Sequence, residues 1–264
     1  MVLADVKKFK YVDELEQLPE YNAFWVINVK KDIYALIYPP NKKMLALYKY
    51  NSTSIKKWEK MRKHNLKLKR FSVCAFMKKL FIIGGHDGDQ VTTSSCIKLN
   101  TKNCKLKKCK NMKTARRCSA CTAFEGRVVV SGGYDDNGVV TNSVEAYDHV
   151  ANTWSPMPHM IHGRYYHNLV AVRNKLFVFG GFSTEPGELF DSCVNKFVLV
   201  KPPLSSLGIN HSPGAFPIGN KIFVLKNCSV ELLTFDIDTS EWNEEAFEIT
   251  KTTKFYSCLK LPET

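Results

Sequence analysis

Two stretches, RVVVSGG at residues 127–133 and KLFVFGG at residues 175–181, are copies of a short apolar run that recurs along the chain. The other copies are DIYALIY at 32–38, KLFIIGG at 79–85 and KIFVLKN at 221–227. The third residues of the five runs, Tyr34, Phe81, Val129, Phe177 and Phe223, are separated by 47, 48, 48 and 46 residues. A period of this length indicates a repeat architecture, so it decides the fold before local structure is considered.

Each run has the length and the β-branched and aromatic composition of a β-strand. A second apolar run precedes it across a polar turn, as in SACTAFEGRVVV at 119–130, where Glu125-Gly126 forms the predicted turn. A third strand follows, clearest as SVEAYD at 143–148, and a fourth strand contains a tryptophan. The pattern predicts an all-β chain with four antiparallel strands in each unit, which is the make-up of a propeller blade.

Three features recur among the units: a double glycine, a later Tyr-Asp, and a tryptophan six residues after the aspartate. This combination resembles the kelch repeat. The glycine pairs are Gly84-Gly85, Gly132-Gly133 and Gly180-Gly181, and the tryptophans are Trp58, Trp154 and Trp242. The resemblance implies a kelch β-propeller whose blades are residues 21–61, 70–112, 116–160, 164–203 and 209–248. We expect the glycines where the backbone leaves an inner strand at a crowded place, and the tryptophans between blades, all in structural roles.

The start of the chain resembles part of a further blade. Residues 1–20 can be laid over a third and a fourth strand, with Val6 and Phe9 in the third strand and Leu15 in place of the tryptophan. An amphipathic helix is the alternative, because Val6, Phe9 and Val12 also have near-helical spacing.

The end of the chain resembles a lone first strand. In the kelch family such a strand, here residues 254–264, closes the ring by pairing with the blade begun at the N-terminus, which removes free sheet edges. The resemblance therefore implies a single domain over residues 1–264 with six blades, the first of them shared by both termini and incomplete. Since its second strand would lie upstream of Met1, we expect the chain to be a fragment or a shortened gene product.

The composition excludes a membrane protein and a secreted disulfide scaffold. Hydrophobic residues make up 44% of the chain and aromatic residues 12%, yet no run approaches the length of a membrane helix. The start, MVLADVKKFKYVDELEQ, lacks the apolar core of a secretory signal, and nine cysteines are an odd set. We therefore expect a soluble, cytoplasmic protein with reduced thiols and no membrane partner.

Four of the cysteines, Cys104, Cys109, Cys118 and Cys121, have a spacing that could suit a loose zinc site. Cys118 and Cys121 fall in a predicted strand, where residues three apart point to opposite faces and do not converge on one tetrahedral ion. We therefore expect no metal here, and buried or half-exposed thiols instead.

Basic residues concentrate in the first half of the chain. Residues 1–120 carry 27 Lys+Arg against 9 Asp+Glu, leaving 11 against 16 in the remainder and a formal net charge of +13. A field of this sign attracts an acidic protein surface or nucleic acid. No nucleic-acid-binding signature accompanies the lysines, so nucleic acid is the less favoured partner. The alternative is a lysine-rich solvated face without a binding role.

The order of strands in a blade places two sets of loops on one face. The loops after each second strand lie beside the segments that lead into each first strand, and binding residues concentrate on loops held by a rigid frame. The resemblance to kelch adaptors implies that this face binds a partner protein. The residues predicted for this face are Arg70, His86, Asp87, Arg116, Arg117, Tyr134, Asp135, Arg164, Tyr165, Tyr166, Phe182, Asn210 and His211.

Three arginines, Arg70, Arg116 and Arg164, are the main candidates on this face because the resemblance implies arginines that lead into first strands. Their guanidinium fork pairs bidentately with carboxylate or phosphate, so we expect them to be surface-accessible together and the partner to be acidic. The alternative is that each arginine is solvated or makes hydrogen bonds between blades.

Enzyme motifs are missing from the sequence. It has no Gly-Lys phosphate loop and no Gly-x-Ser-x-Gly elbow, and its seven histidines have no metal-ligand spacing. We expect no catalysis and no cofactor. The resemblance implies the substrate-recognition module of a cullin–RING ubiquitin ligase adaptor, whose cullin contact is made by BTB and BACK domains that these residues do not include. The alternative is an actin- or cytoskeleton-binding kelch protein without a role in ubiquitination.

Overall fold

The computed structural model describes residues 23–29, 32–38, 44–51, 57–181, 186–201, 215–225 and 232–245, which form twenty β-strands in five four-stranded antiparallel sheets. In every sheet the spatial order of the strands is their order in the chain. Among these residues no helix is long and apolar enough to cross a membrane.

The first sheet contains β1 (Ala23–Val29), β2 (Asp32–Tyr38), β3 (Leu45–Asn51) and β4 (Lys57–His64). The second contains β5 (Ser72–Phe76), β6 (Lys79–Ile83), β7 (Cys96–Asn100) and β8 (Leu106–Lys108). The third contains β9 (Ala120–Phe124), β10 (Arg127–Ser131), β11 (Val144–Asp148) and β12 (Thr153–Met157). The fourth contains β13 (Asn168–Val172), β14 (Lys175–Phe179), β15 (Glu188–Asp191) and β16 (Lys196–Leu199). The fifth contains β17 (Ala215–Ile218), β18 (Lys221–Leu225), β19 (Leu232–Asp236) and β20 (Glu241–Glu245).

The five repeated runs are the second strands of the five sheets, β2, β6, β10, β14 and β18, so the predicted equivalence is confirmed. Where a glycine pair is present, the strand ends before it. Gly84 and Gly85, for example, have φ values of 65° and 94°, a left-handed conformation that turns the chain out of the ladder after Ile83.

The first strands of successive sheets pack against one another: β1 against β5, β5 against β9, β9 against β13 and β13 against β17. Four-stranded sheets joined through their first strands are the arrangement of a β-propeller, with the first strands innermost. The prediction of an all-β propeller is thereby confirmed. The predicted shared blade and the helix alternative for residues 1–20 lie outside the described residues, as does the closing strand at 254–264, so the six-blade count stays a prediction.

The core lies between facing sheets. Along β6, Leu80 and Ile82 pack with residues of the first sheet, whereas Phe81 and Ile83 pack with residues of the third, because side chains alternate along a strand. A second strand is therefore buried on both faces. This explains why it is a continuous apolar run in the sequence and not an alternating one.

Two of the three repeat tryptophans lie at the joints between sheets. Trp154 of β12 donates its indole Nε1–H to the Lys110 carbonyl after the second sheet at 2.8 Å, and Trp242 of β20 donates to the Lys201 carbonyl after the fourth sheet at 2.9 Å. Trp58 is buried and its ring centroid lies 5.4 Å from that of Tyr50. The indoles of Trp154 and Trp242 thus fasten a fourth strand to the preceding sheet.

Candidate functional site

The glycine pairs position the segments that lead into the next first strand. The N–H of Gly85 donates to the carbonyl of Arg116 at 2.8 Å, and the N–H of Gly133 donates to the carbonyl of Arg164 at 2.7 Å. A Cβ on Gly84 would lie 2.2 Å from the Arg116 carbonyl oxygen, so only glycine allows this approach. Each lead-in segment is therefore held rigidly against the preceding sheet.

The Arg116 side chain points into the third sheet. Its Nη1 donates to the carbonyls of Gly132 (2.9 Å) and Ser143 (3.1 Å), and its Nη2 lies 2.7 Å from Oε1 of Glu145. Burial lowers the pKa of Arg116, and the ion pair with Glu145 acts in the opposite direction. The Glu145 carboxylate also accepts the backbone N–H groups of Lys113 and Thr114, so it fixes the loop before the arginine.

Arg164 repeats this arrangement in the fourth sheet. Its Nε lies 3.4 Å from Oε1 of Glu188, and its other donors reach the carbonyls of Gly180 and Pro186. The Glu188 carboxylate accepts the N–H groups of Ile161 and His162, as Glu145 does one sheet earlier.

The expectation that Arg116 and Arg164 are surface-accessible is wrong, because both side chains are 0% exposed. Each guanidinium finds a carboxylate and two carbonyls inside its own sheet, which take the Nη donors of Arg116 and leave only its buried Nε without a hydrogen-bond partner. Their contacts are structural, as in the alternative in which the arginines make hydrogen bonds between blades. The difference is that the side-chain hydrogen bonds lie within one sheet, and only the backbone carbonyls of Arg116 and Arg164 link neighbouring sheets.

Arg70, which is exposed, is not the equivalent of these two arginines. Leu68 stands 48 residues before Arg116, and Ile97 stands 48 residues before Glu145. Leu68 and Ile97 are both buried in one hydrophobic cluster, so an apolar pair replaces the ion pair in the second sheet. The three arginines therefore do not stand at equivalent positions, because Arg70 lies two residues further along its repeat than Arg116 and Arg164 do in theirs.

The true equivalents of Arg70 are Cys118 and Tyr166, and the three residues form a chain across successive sheets. Their φ values are 53°, 56° and 53°. The N–H of Cys118 donates to the Arg70 carbonyl at 2.8 Å, and the N–H of Tyr166 donates to the Cys118 carbonyl at 2.9 Å. Since first strands are innermost, this chain runs along the inner margin of the predicted face.

Aromatic and basic side chains meet beside this chain. The Arg117 guanidinium lies 5.0 Å from the ring centroid of Tyr134, whose ring lies 4.4 Å from that of Tyr165, and the Tyr165 ring lies 5.8 Å from that of Tyr166. Nη1 of Arg117 also donates to the Thr92 hydroxyl at 2.6 Å, which orients the guanidinium. We call Arg70, Arg117, Tyr134, Tyr165 and Tyr166 the tyrosine–arginine patch.

The patch combines fixed aromatic surface with accessible charge. Tyr166 is 40% exposed and Arg70 is exposed, while the other three members are half-buried. A hydrogen bond with Tyr165 raises the pKa of Tyr134 to about 12, and burial raises the pKa of Tyr166 to about 12. Both phenols therefore stay neutral at physiological pH and can donate a hydrogen bond.

Loops after the second strands of the second and third sheets flank the patch. His86 forms isolated antiparallel β-bridges with Lys69 and Thr92, and Tyr134 forms them with Arg117 and Val140. The backbone of both loops therefore pairs with the lead-in segments. The Asp87 carboxylate accepts N–H groups of its own loop, and Asp135 does the same one repeat later. Asp87 and Asp135 therefore shape the loops, and His86 is buried.

Two exposed valines at the loop tips were missed by the sequence analysis. Val91 and Val139 are 57% and 59% exposed, and they stand 48 residues apart at equivalent positions. The signal that could have found them is this recurrence of an apolar residue in an otherwise polar loop. The predicted site residues Phe182, Asn210 and His211 lie outside the described residues.

Metal ligands do not converge in the part of the chain that the structure describes: it holds no group of three or more His, Cys, Asp or Glu side chains suited to an ion. Cys104, Cys109 and Cys118 are buried, and Cys121 is half-buried.

Comparison with known proteins gives a consistent family. Residues 38–191 match the model described as the KLHDC2/KLHL20/DRC7 Kelch-repeats domain. Kelch-like protein 41a of Danio rerio is 29% identical over 132 residues, and Kelch-like protein 40 of Homo sapiens is 31% identical over 127 residues. These alignments cover 50% and 47% of this chain but only 22% and 20% of the relatives. The chain thus matches about a fifth of the length of these relatives.

Proposed function

This chain belongs to the kelch-repeat family, and from that premise we propose that it is a recognition module that binds a segment of a partner protein on the tyrosine–arginine patch. Kelch-repeat domains are typically non-enzymatic protein-interaction domains. We accordingly assign the chain a binding role without catalysis or a cofactor.

The observation that carries the proposal is the convergence of three tyrosines and two arginines on one rigid margin of the propeller. Tyrosine and arginine are the residue types that dominate binding energy at protein interfaces, because each offers a large contact area together with directional hydrogen bonds. Here the backbone chain through Arg70, Cys118 and Tyr166 fixes their spacing before a partner arrives, which lowers the entropic cost of binding.

The chemistry of the patch favours an acidic partner segment. Arg70 is an exposed cation, and the exposed loop tips Val91 and Val139 offer apolar contacts at its margin. A carboxylate or phosphate group could pair with a guanidinium bidentately while neighbouring aliphatic groups of the same segment contact the rings.

In a longer protein, we propose that this module presents its bound partner to a cullin–RING ubiquitin ligase. The relatedness to Kelch-like proteins supports this role, in which the cullin is contacted by BTB and BACK domains and not by the propeller. The proposed location is the cytoplasm, where such adaptors work.

A second candidate function, binding to an acidic filament such as actin, is favoured by a different observation. The outer strands β4 and β8 expose Lys60, Arg62 and Lys63, and Lys107 and Lys108. Their charges lie on the blade edges and not on the tyrosine–arginine patch, so the two candidates use different surfaces.

Alanine substitution in the patch tests the first candidate once a pull-down with the intact gene product has captured a partner. Arg70→Ala and Tyr166→Ala should each weaken binding, for Arg70 by about 1.5–3 kcal/mol if it pairs with a charged group. Lys107→Ala, the matched control on an exposed edge, should cost less than about 1 kcal/mol. The melting temperature should not change for Arg70→Ala, because its side chain is exposed. Equal losses at Arg70 and Lys107 would show that the patch is not the binding site.

A further inference from the structure

Four cysteines meet in the hydrophobic cluster between the second and third sheets. Cys74 lies on β5, Cys96 on β7, Cys109 directly after β8 and Cys121 on β9. All four are free thiols. In each of the pairs Cys74–Cys121 and Cys96–Cys109, the second thiol raises the pKa of the first.

Cys96 and Cys109 stand opposite each other on neighbouring antiparallel strands. The register pairs Ile97 with Lys108, which makes Cys96 and Cys109 the next facing pair, and the N–H of Cys109 donates to the Cys96 carbonyl at 2.8 Å. Facing residues of an antiparallel pair have Cα atoms about 4.5–5.5 Å apart, within the span of about 4.4–6.8 Å that a disulfide bridges. The two sulfurs can therefore join with little backbone movement.

We propose that Cys96 and Cys109 form a peroxide-sensitive dithiol, in which Cys109 is the attacking thiolate and Cys96 is the resolving thiol. In the first step the Cys109 thiolate attacks one oxygen of hydrogen peroxide, forms a sulfenic acid and releases hydroxide. In the second step the Cys96 sulfur displaces the sulfenic hydroxyl, and the S–S bond forms as the thiol proton leaves with the departing oxygen as water. Two thiols are oxidised and one peroxide is reduced to two water molecules.

The surroundings divide the two roles between the cysteines. The neighbouring Cys96 thiol and the charge of Lys98 lower the pKa of Cys109 despite burial. The Tyr147 hydroxyl donates its proton to Oδ1 of Asn152 at 2.7 Å and is not a donor to Cys109. The Cys109 sulfur and burial raise the pKa of Cys96. Cys109 is therefore the more acidic thiol of the reduced pair and the first nucleophile. Once Cys109 is oxidised, its negative charge no longer holds the proton on Cys96, which can then ionise and attack.

The neighbouring pair differs at Cys74. Cys74 is buried, and the adjacent Cys121 thiol together with burial raises its pKa well above the ordinary thiol value. Cys74 and Cys121 therefore provide an internal control, with two thiols in the same cluster and no reactive thiolate at Cys74.

Oxidation of Cys109 would occur next to the contact between the second and third sheets. Lys110, the residue after Cys109, donates its N–H to Oδ1 of Asn152 at 3.0 Å and accepts the indole N–H of Trp154 at its carbonyl. A disulfide at Cys109 therefore fastens the outer edge of the second sheet where the third sheet is attached.

Peptide mapping of the folded chain after treatment with hydrogen peroxide tests the proposal. Samples are quenched, unfolded with excess N-ethylmaleimide and digested, so that each cysteine is scored as alkylated, oxidised or disulfide-linked. A Cys96–Cys109 link with loss of two hydrogens is expected before any link between Cys74 and Cys121. The rate should fall as the pH is lowered through the pKa of Cys109, which Cys96 and Lys98 hold below the ordinary thiol value.

Two variants separate the roles. In Cys96→Ser the reaction should stop at a sulfenic acid on Cys109 that dimedone traps, whereas Cys74→Ser should form the Cys96–Cys109 link at the unaltered rate. Oxidation of exposed Cys193 while Cys96 and Cys109 remain fully alkylatable, or a first disulfide between other cysteines, would overturn the proposal. If Cys96→Ser does not fold, the map of the unaltered protein decides the question by itself.

Discussion

Arg116 and Glu145 show how a charged pair is tolerated inside this fold. Two charges removed from water lose several kcal/mol of hydration each, so the pair persists only where the remaining donors and lone pairs are satisfied. Here two carbonyls take the Nη1 donors, and two backbone N–H groups bind the carboxylate, so that Nε of Arg116 is the one guanidinium nitrogen left without a partner. The pair therefore acts as a centre of a hydrogen-bond network and not as an isolated attraction.

Breaking this pair should destabilise the protein strongly, whereas replacing it should cost less. Arg116→Leu leaves the Glu145 carboxylate buried without its ion partner and is expected to lower the free energy of unfolding by about 3–5 kcal/mol. The double variant Arg116→Leu/Glu145→Ile copies Leu68 and Ile97 of the second sheet and should be more stable than Arg116→Leu alone. Urea unfolding of the three proteins measures this difference.

The two possible outcomes differ in the sign of one quantity, the free energy of unfolding of the double variant minus that of Arg116→Leu. If the double variant is less stable than Arg116→Leu, the role of Glu145 in binding the N–H groups of Lys113 and Thr114 outweighs the unpaired charge. The apolar pair of the second sheet would then depend on other local changes.

The sequence could have predicted the burial of these arginines only through the glycine spacing. Arg116 and Arg164 each stand 16 residues before the first glycine of a pair, and the residue in that position of the second sheet is Leu68, not Arg70. A position that accepts both arginine and leucine indicates a buried site. The partner carboxylates lie 29 and 24 residues further along the chain, on third strands, and no local pattern connects them.

At the scale of strands and turns, the glycine pair ends the second strand and receives the next sheet. The two tasks use different properties of glycine. The positive φ turns the chain out of the ladder, and the missing Cβ leaves room for a carbonyl oxygen of the following sheet. Gly126, Gly138 and Gly219 have only the first property, because φ is positive at each and nothing lies within 4 Å of an added Cβ.

Gly132 and Gly138 separate these two properties. Their φ values are 60° and 76°, but a Cβ at Gly132 would lie 2.4 Å from the Arg164 carbonyl oxygen, whereas nothing lies within 4 Å of one at Gly138. Gly138→Ala should cost about 1–2 kcal/mol of stability from backbone conformation alone. Gly132→Ala should cost clearly more, because the two sheets must move apart. Thermal or urea unfolding of both variants measures the difference, and equal losses would show that the close approach does not matter.

The strands themselves were predictable, because their signal is repeated. Tyr34 and Phe223 belong to second strands although no glycine pair follows either run, and the apolar continuity of DIYALIY and KIFVLKN was sufficient to find them. The glycine pair also marks the end of a strand. The run at residues 127–133 ends as a strand at Ser131, directly before Gly132, where φ becomes positive and ladder hydrogen bonding stops.

For the whole molecule, the distribution of charge follows the order of the sheets. The outer strands β4 and β8 are rich in lysine and arginine, whereas β20 contains Glu241, Glu244 and Glu245. Charges on outer edges are far from the inner chain of Arg70, Cys118 and Tyr166, so they act on a partner at long range and speed its approach. They also discourage edge-to-edge pairing of exposed strands, which is a sufficient reason for lysines at these positions.

Closure of the ring is a property of the whole molecule, and it remains a prediction. The described strands extend from β1 to β20, while the segments expected to share a blade are residues 1–20 and 254–264. Deletion of the second segment should expose sheet edges and promote aggregation if the shared-blade account holds.

The last prediction distinguishes the two candidate functions by their dependence on salt. We call the basic side chains on the outer strands β4 and β8 the rim. Their neutralisation should slow association with a partner bound at the patch but leave its dissociation rate unchanged, because exposed charges steer encounter. The substitutions are Lys60→Gln, Arg62→Gln, Lys63→Gln, Lys107→Gln and Lys108→Gln. Arg70→Ala, which removes one exposed charge of the patch itself, should instead speed dissociation.

Actin cosedimentation gives the opposite result if the second candidate is right. Binding to a filament through the rim should be abolished by the five glutamine substitutions and should disappear between about 0.05 and about 0.5 M salt, since the screening length falls from roughly 14 Å to roughly 4 Å over this range. Arg70→Ala should leave such pelleting almost intact. Pelleting that survives high salt and the rim substitutions, but not Arg70→Ala, would place the filament on the tyrosine–arginine patch, and the rim would then have no binding role of its own.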